Sequence, residues 1–385
     1  MNILLLCEGD AERMDGSFSG SSKSLLDHLR QAGHKVPTGD TELYGLRWYI
    51  AAAATVAPDR RRWGVKFRLG AVPFRMRTRL AARHIASAGM IDAVLQIGAT
   101  FQPRSHGRNP YFLFCDSNIR MADRGRASGQ SHAASLTPAE VEEVAVREAQ
   151  VYQGASGVFT LSERLRRSFI EDFGLAPDVV HTVGAGPNFD LARISPRVPR
   201  TPDHAPTVLF VGVQFERKGG DILLRAFRKV RMAVPNARLF IVGPRNLKID
   251  EIGVENLGFL SKDVPAEFEV LIRTYAAADI FCLPTRFDPF PIAYIEAMFF
   301  GLPCIGPDAW AVPEVIEDGV TGYLVPSENE VALAERMIYL LRNPSLADQM
   351  GQAGYARANR QFTWKAVADR VTSVMNNALR PGVSH

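Results

Sequence analysis

Two carboxylates stand eight positions apart in an otherwise apolar segment, DPFPIAYIEAM at 288–298. An ionised carboxylate is costly to bury without a partner, so acids in such a segment are nearly always paired. Asp288 and Glu296 are therefore expected to meet either a cationic or hydroxyl-bearing partner from elsewhere in the chain, or a ligand. The structural alternative is a loop-capping acid followed by an ion-paired helical acid.

The position of this segment favours a ligand. It follows DIFCLPT at 279–285, an apolar run typical of a buried strand, so Asp288 is expected in the loop at the strand's carboxyl end. Pro291 suits the first position of the next helix, and the N–H groups of Ile292 and Ala293 would then form an anion site. Acids on both sides of an anion site match the sugar, diphosphate and ribose of a nucleotide-diphosphate sugar.

Short apolar runs, each followed by a helical pattern, recur along the whole chain and predict parallel sheets covered on both faces. The pattern restarts after a stretch at 193–207 that contains four prolines and no periodicity, which is typical of a linker. We therefore predict an α/β protein with two tandem doubly wound Rossmann-like domains facing a cleft, with ligands bound outside the carboxyl ends of the strands. The predicted strands are 2–7, 92–99, 111–117, 157–163 and 179–186, then 207–212, 237–243, 254–260, 279–285 and 303–307.

Composition excludes several classes. With 46% hydrophobic and 22% charged residues the chain is typical of a globular protein, and it contains no apolar run of 18 residues that would predict a membrane span. The start, MNILLLCEGD, is expected to be a first strand and not a signal peptide. Four isolated cysteines favour a reduced, cytoplasmic protein, and neither they nor the eight histidines show metal-ligand spacing.

Four segments resemble the family four glycosyltransferases, retaining enzymes of GT-B architecture. The most specific is RFDPFPIAYIEAMFFGLPCIGPDAWAVPEVIEDGVTGYLV at 286–325, and VGVQFERKGGDILLRAF at 211–227 and FTWKAVADRV at 362–371 are similar to further family segments. GSFSGSSKSLLDHLRQAGHKV at 16–36 resembles the family's glycine-rich loop and helix. The resemblance implies an acceptor domain at 1–192, a linker at 193–206, a donor domain at 207–361 and a closing helix at 362–385 that packs towards the first domain.

The resemblance also implies roles for individual residues. Asp288 would accept hydrogen bonds from the transferred sugar, Glu296 would hold the ribose, and Lys218 would neutralise the leaving diphosphate. Gly20 would let the backbone approach that phosphate closely, although a glycine before a helix is also a common cap. No metal and no cofactor is expected, because no DxD-type metal motif stands where the resemblance would place one; Lys218 and the helix start would then take the place of a divalent ion. The complete predicted set is Asp288, Lys218 and Asp116 as catalytic residues, with Glu296, Arg217, Gly20, Pro289, Phe290, Pro291, Ile292, Ala293 and Ser117 binding the donor.

Three positions depart from the family pattern. The family usually has glutamate where this chain has Asp288, and an arginine where it has Val213. Arg217 is the expected substitute for that arginine, unless it is an ordinary surface residue. Cys115-Asp116 stands where many members have His-Asp, which leaves Asp116 and Ser117 to contact the sugar or acceptor; Asp116 capping a turn is the alternative.

The predicted function is transfer of a hexose from a nucleotide-diphosphate sugar to an acceptor hydroxyl with retention, in glycolipid, polysaccharide or other glycoconjugate synthesis. A sugar-nucleotide epimerase of the same fold and a non-catalytic donor-binding subunit are the alternatives. A dinucleotide-dependent dehydrogenase is poorly supported, because neither domain shows Gly-x-Gly-x-x-Gly between strand and helix.

A basic block covers residues 60–84, RRRWGVKFRLGAVPFRMRTRLAARH, with nine arginines or lysines, no acid and interleaved aromatic residues. Blocks of like charge are usually solvated surfaces. Cationic and aromatic side chains together also suit an anionic membrane surface. We therefore expect a protein that associates peripherally with the inner face of the membrane and uses a lipid-linked acceptor, and we expect no nucleic-acid partner because no binding motif accompanies the block.

Overall fold

The computed structural model describes residues 1–15, 18–103, 109–194 and 204–379. The chain divides into two compact units, one formed by Met1–Gly184 with the last helix and the other by Ala185–Thr363. Most of the predicted linker and the first two residues of the predicted glycine-rich loop lie outside the described residues.

The first unit is built on a six-stranded parallel sheet with the order β2-β1-β3-β4-β5-β6. The side chains of β1, β3, β4 and β5 are buried throughout, because helices cover both faces of the sheet. The strands are β1 (Ile3–Cys7), β2 (Thr38–Asp40), β3 (Ala93–Ile97), β4 (Tyr111–Cys115), β5 (Gly157–Thr160) and β6 (Val180–Thr182). The helices are α1 (Ser21–Gln31), α2 (Leu46–Ala54), α3 (Arg60–Leu69), α4 (Ala71–Ser87), α5 (Ile119–Arg124), α6 (Pro138–Gln153) and α7 (Glu163–Phe173).

The second unit repeats this architecture with a six-stranded parallel sheet of order β12-β11-β10-β7-β8-β9. Its strands are β7 (Thr207–Val211), β8 (Arg238–Val242), β9 (Val254–Gly258), β10 (Ile280–Cys282), β11 (Cys304–Pro307) and β12 (Gly322–Val325). Its helices are α8 (Gly220–Ala233), α9 (Pro265–Ala277), α10 (Ile292–Phe299), α11 (Val312–Val315), α12 (Glu330–Arg342) and α13 (Pro344–Gln361). Two doubly wound Rossmann-like units, as the alternation of strands and helices predicts, are confirmed.

The last helix, α14 (Trp364–Leu379), groups with the first unit. Its Thr372 lies against the end of α1, where His34 Nε2 is 3.2 Å from Thr372 Oγ1. Conversely, residues 185–192, which the sequence analysis assigned to the first domain, group with the second unit. The physical reason is the packing of Phe189, whose ring lies 5.7 Å from that of Phe300.

The basic block at 60–84 forms α3 and most of α4, and three of its arginines are engaged inside the first unit. Arg77 is only 1% exposed, and its Nη2 lies 2.8 Å from Glu8 Oε2. Arg62 pairs with Glu140 at 2.9 Å, and Arg61 donates to the carbonyl oxygens of residues 129 and 131. The block is therefore not a uniformly solvated surface, because these side chains join the helices to the rest of the unit.

Candidate functional site

The second unit brings two charged loops together because β7 and β10 are neighbours in its sheet. Adjacent parallel strands end at the same edge, so the loops that follow them meet there. Lys218 lies in the loop after β7 and donates a hydrogen bond from Nζ to Oδ2 of Asp288, in the loop after β10. Both side chains are largely buried, with 14% and 8% of their surface exposed.

Hydrogen bonds of Arg217 connect the loop after β7 to the loop after β10. Its carbonyl oxygen accepts hydrogen bonds from the Arg286 N–H at 2.9 Å and from Thr285 Oγ1 at 3.2 Å. Its Nη1 donates to the Phe287 carbonyl at 2.7 Å, and its Nε donates to Gln214 Oε1 at 2.5 Å. Arg217 is thus held beside Lys218 by both loops, which is more than a solvent-exposed surface arginine would show.

Gly219 allows the two loops to approach this closely. It precedes α8 with a φ of +76°, in the left-handed region that favours glycine. A Cβ atom placed there would lie 1.9 Å from the carbonyl oxygen of Pro284. Any other residue would therefore separate the loop of Lys218 from the loop of Asp288.

The electrostatics of Lys218 favour an incoming anion. Burial lowers the pKa of its ammonium group from the ordinary 10.5, and the neighbouring Asp288 carboxylate opposes that shift only in part. A phosphate group brought to this position would stabilise the charged form of Lys218. The site can therefore offer a bound phosphate a cation that is largely shielded from water.

Glu296 occupies the second turn of α10 and is 4% exposed. Its Oε1 accepts hydrogen bonds from Lys262 Nζ at 2.5 Å and from the Asn188 N–H at 3.1 Å. Its Oε2 accepts one from the Tyr275 hydroxyl at 3.2 Å. The cationic partner that the sequence leaves open is therefore Lys262, and one Oε2 lone pair remains for a ligand hydroxyl.

Sequence reasoning missed Lys262 as a partner of this site. The residue lies in the loop between β9 and α9, at the same carboxyl edge of the sheet as Lys218 and Asp288. The rule that ligands bind at the carboxyl ends of parallel strands is the signal that would have found it. Tyr275 gives no such signal, because in the sequence it is one of the residues with which α9 is expected to face the core.

The helix that carries Glu296 begins one residue later than the sequence predicts. Pro291 is the N-cap and the first helical residue is Ile292, so the N–H groups of Ile292 and Ala293 belong to the first turn. The first N–H groups of a helix have no acceptor within it, which makes them available to an anion. The preceding Phe290 is buried, and with Pro289 it forms the end of the loop that carries Asp288.

A second ion-pair network supports the loop of Asp288 from the outside. The two Nη atoms of Arg286 lie 2.5 and 2.7 Å from the two carboxylate oxygens of Asp221, in a bidentate pair. The Nε of Arg286 lies 2.6 Å from Glu328 Oε1. Bidentate arginine pairs fix geometry as well as contributing energy, so this network orients the loop.

The remaining predicted residues lie in the first unit. Gly20 precedes α1 with a φ of +94°, at the carboxyl edge of β1. Asp116 and Ser117 follow β4 at the same edge, with β3 between β1 and β4. Ser117 Oγ donates to the Asn118 carbonyl at 3.3 Å. These residues belong to the first unit, whereas Lys218, Asp288 and Glu296 belong to the second, and the contacts of Gly20, Asp116 and Ser117 with a donor stay predictions.

Within the part of the chain that the structure describes, no group of three or more histidine, cysteine, aspartate or glutamate side chains is placed to hold a metal ion. None of the described helices has the length and apolar character needed to cross a membrane.

Two six-stranded parallel Rossmann-like units in tandem are the architecture of the GT-B fold, and the second unit carries a lysine–aspartate pair and a buried glutamate at the carboxyl edge of its sheet. Residues 193–357 match the family model described as glycosyl transferases group 1. The resemblance that the sequence predicts is confirmed by this match, which includes Lys218, Asp288 and Glu296.

Known proteins agree with this assignment. The chain is 33% identical over 232 residues to a phosphatidyl-myo-inositol mannosyltransferase of Mycobacterium leprae, an alignment that covers 59% of this chain and 60% of that protein. The chain thus spans about 60% of the length of that relative.

Among solved structures, sucrose-phosphate synthase from Thermosynechococcus elongatus has a TM-score of 0.72 at 18% identity, with 98% of this chain and 99% of that chain covered. HepE of Anabaena, in complex with UDP and glucose, has a TM-score of 0.63 at 18% identity and the same coverage of each chain. These similarities confirm the predicted GT-B fold.

Proposed function

We propose that this protein is a retaining glycosyltransferase that transfers a hexose from a nucleotide-diphosphate sugar to an acceptor hydroxyl. The observation that carries the proposal is the arrangement at the start of α10, where the Lys218–Asp288 pair precedes the helix and Glu296 lies within it. This arrangement lies in the segment that matches the group 1 glycosyltransferases. Its cation, helix start and two acids fit the diphosphate, sugar and ribose of such a donor.

The reaction breaks the bond between the anomeric carbon and the diphosphate oxygen, and the electron pair leaves with the diphosphate. Lys218 and the first N–H groups of α10 stabilise the charge that develops there. The acceptor oxygen bonds to the anomeric carbon on the face that the diphosphate leaves, and its proton passes to the departing phosphate. Configuration is thereby retained without a covalent intermediate on the protein.

Each residue has a distinct role in this proposal. Asp288 turns from Lys218 to the hydroxyl groups of the transferred sugar once the diphosphate pairs with Lys218. Glu296 accepts a hydrogen bond from the ribose through the remaining lone pair of Oε2. The proposed chemistry uses no metal and no cofactor, since Lys218 and the helix start supply the positive charge.

We further propose that the acceptor is lipid-linked and that the protein works in the cytoplasm, at the inner face of a membrane. The relative from Mycobacterium leprae is named for a lipid acceptor, phosphatidyl-myo-inositol. The basic surface of the first unit supports the same location, because each cation near an anionic membrane contributes about 1 kcal/mol of binding free energy.

A thermal-shift screen with UDP-, GDP- and ADP-linked sugars tests donor binding. A donor present at about one hundred times its dissociation constant should raise the free energy of unfolding by about 2.7 kcal/mol. Release of free sugar or transfer to an acceptor by the purified protein then separates an enzyme from a binding subunit. A product that is an epimer of the donor would contradict the proposal in favour of an epimerase.

The ribose role is tested with Glu296→Gln and with 2′,3′-dideoxynucleoside diphosphates. The parent should bind the ordinary diphosphate more tightly than the dideoxy analogue by about 1.5–3 kcal/mol, the range for hydrogen bonds to a charged group. Glu296→Gln should lose most of this discrimination. Glu255→Gln, a change in an exposed glutamate of β9, is the control and should keep it. Undiminished discrimination in Glu296→Gln would exclude Glu296 from the ribose site.

A further inference from the structure

Residues 44–56 of the first unit form a concentrated exposed apolar surface. Single exposed hydrophobic side chains are ordinary, whereas contiguous ones mark an interaction site. Among the described residues eighteen large hydrophobic side chains are exposed, and six of them fall in these thirteen positions. They are Tyr44 (62% exposed), Leu46 (74%), Trp48 (40%), Tyr49 (67%), Ile50 (48%) and Val56 (70%).

The helix α2, at the centre of this surface, exposes its bulky hydrophobic residues to solvent instead of burying them in the core. Its buried residues are the small Ala51 and Ala52, while the bulky Leu46, Tyr49 and Ile50 point outwards. A surface helix of a globular protein places its bulky apolar residues towards the core. The orientation is fixed, because Trp63 Nε1 donates to the Ala52 carbonyl at 3.0 Å.

Aromatic contacts join α2 to the basic helix α3. The ring of Trp48 lies 6.4 Å from that of Trp63 and 5.9 Å from that of Phe67. The exposed apolar surface is therefore continuous with the basic block. Between residues 60 and 87 there is no acid, and the exposed arginines of α3 and α4 include Arg60, Arg68, Arg75, Arg79 and Arg83.

We infer that α2 is the element by which this protein inserts into an anionic lipid surface, with the exposed arginines of α3 and α4 contacting the headgroups. Tryptophan and tyrosine suit the level of the headgroups, and leucine and isoleucine suit the acyl chains below it. A surface with a bulky apolar face and many more cations than acids complements an anionic bilayer; its exposed acid, Asp59, caps the start of α3 and accepts a hydrogen bond from the Arg62 N–H. This inference rests on the proposal that the protein works at a membrane, but it is independent of the sugar-transfer chemistry.

The test is co-sedimentation of the full chain, without donor or acceptor, with vesicles of phosphatidylcholine alone or of phosphatidylcholine and phosphatidylglycerol in equal amounts. The parent should bind the anionic vesicles, and salt should weaken this binding without abolishing it, because only the contribution of the arginines is screened. Replacing Leu46, Tyr49 and Ile50 together by serine should reduce partitioning roughly tenfold or more and remove the salt-resistant part. Replacing Arg68, Arg75 and Arg79 by glutamine should reduce the salt-sensitive part, because Arg60 and Arg83 remain.

The matched control replaces Met90, Met232 and Ile252, three exposed hydrophobic residues outside this surface, by serine and should bind vesicles as the parent does. The α2 variant should also keep the donor-induced thermal shift of the parent, which would establish that it is folded. A parent that stays in the supernatant with both vesicles, or an α2 variant that binds as the parent does, would overturn the inference. Self-association of the parent without lipid that the α2 changes abolish would also overturn it, since the surface would then be a protein interface.

Discussion

Lys262 and Glu296 form an ion pair in which Nζ lies 2.5 Å from Oε1, and the glutamate side chain is only 5% exposed. The lysine comes from the loop after β9 and the acid from α10, so the pair joins two elements at the same edge of the sheet. A carboxylate buried to this extent depends on its cation, because an unpaired buried charge is strongly destabilising.

Lys262→Met should therefore lower the free energy of unfolding by about 3 kcal/mol, the cost of leaving a buried charge unpaired. Adding Glu296→Gln to Lys262→Met should recover part of that loss, since no charge then remains to be compensated. Urea unfolding of the parent, the two single variants and the double variant gives the coupling energy. Strictly additive losses would indicate that the two side chains do not depend on each other.

Asp288→Asn should reduce turnover roughly a hundredfold while leaving the affinity for a free nucleoside diphosphate equal or higher. The reason is that the Asp288 carboxylate pairs with Lys218 when no donor is bound. Without that carboxylate, the Lys218 ammonium group is available to the diphosphate. Turnover assays and calorimetry with the free nucleotide measure the two effects separately. A parallel loss of affinity and turnover would place Asp288 on the nucleotide and not on the sugar.

The pH dependence of nucleotide binding should report on Lys218. Because burial lowers the pKa of this lysine from 10.5 and a bound diphosphate raises it again, binding takes up a proton as the lysine titrates. Affinity should accordingly fall as the pH rises into the alkaline range.

Calorimetric titrations across that range test this prediction, with Lys218→Arg as the variant whose charge does not titrate. The arginine variant should lose the pH dependence, whereas Lys218→Ala should cost at least about a hundredfold in rate. Arg217→Ala should cost less, since its guanidinium is already engaged with Gln214 and Phe287. A flat affinity profile in the parent would show that Lys218 does not meet the diphosphate.

Glu148 of α6 should make the first unit less stable as the pH rises. Burial raises the pKa of this carboxyl from 4.5 to about 7, although it accepts a hydrogen bond from the Ile119 N–H at 2.9 Å. Below pH 4.5 both the folded and the unfolded forms are protonated. Between that value and about 7 only the unfolded form ionises, so the stability falls, by about 3 kcal/mol in all.

Glu148→Gln should flatten this profile, because the amide oxygen can still accept from Ile119 and does not ionise. Urea unfolding at several pH values from 5 to 8 measures the effect. Glu143→Gln, in an exposed glutamate of the same helix, is the control and should leave the slope unchanged. An unaltered slope in Glu148→Gln would assign the pH dependence to other groups.

The sequence predicts all of the interior strands of the two sheets and two of the four edge strands. All ten predicted strands are present, because each is an apolar run bounded by turn residues. The missed strands are β2 (Thr38–Asp40) and β12 (Gly322–Val325), which lie at the sheet edges. β2 has the sequence TGD, whose small and polar residues carry no strand pattern, and only pairing with β1 defines it.

The residues of the site could be predicted from the sequence where each one follows a clearly recognisable strand or lies on a clearly recognisable helix. Lys218, Asp288 and Glu296 stand beside strands or helices whose pattern is clear in the sequence, so their placement at one edge could be inferred. The pairing of Glu296 with Lys262 and Tyr275 could not, because it depends on how α9 and the loop before it pack against α10. The exposure of Leu46, Tyr49 and Ile50 could not be predicted from the sequence either, because the apolar residues of a helix are expected to be buried.

The position of β7 at the centre of its sheet has a consequence for folding. It pairs with β8 on one side and with β10 on the other, and these two neighbours are separated along the chain by one strand, β9, and one helix, α9. The contact between Lys218 and Asp288 spans 70 residues of sequence and can form only when β10 has joined the sheet. Contacts of such long range form late, after the entropy of closing the intervening loop has been overcome. A chain that ends before β10 would lack both Asp288 and Glu296, so the proposed nucleotide binding would require the completed second unit.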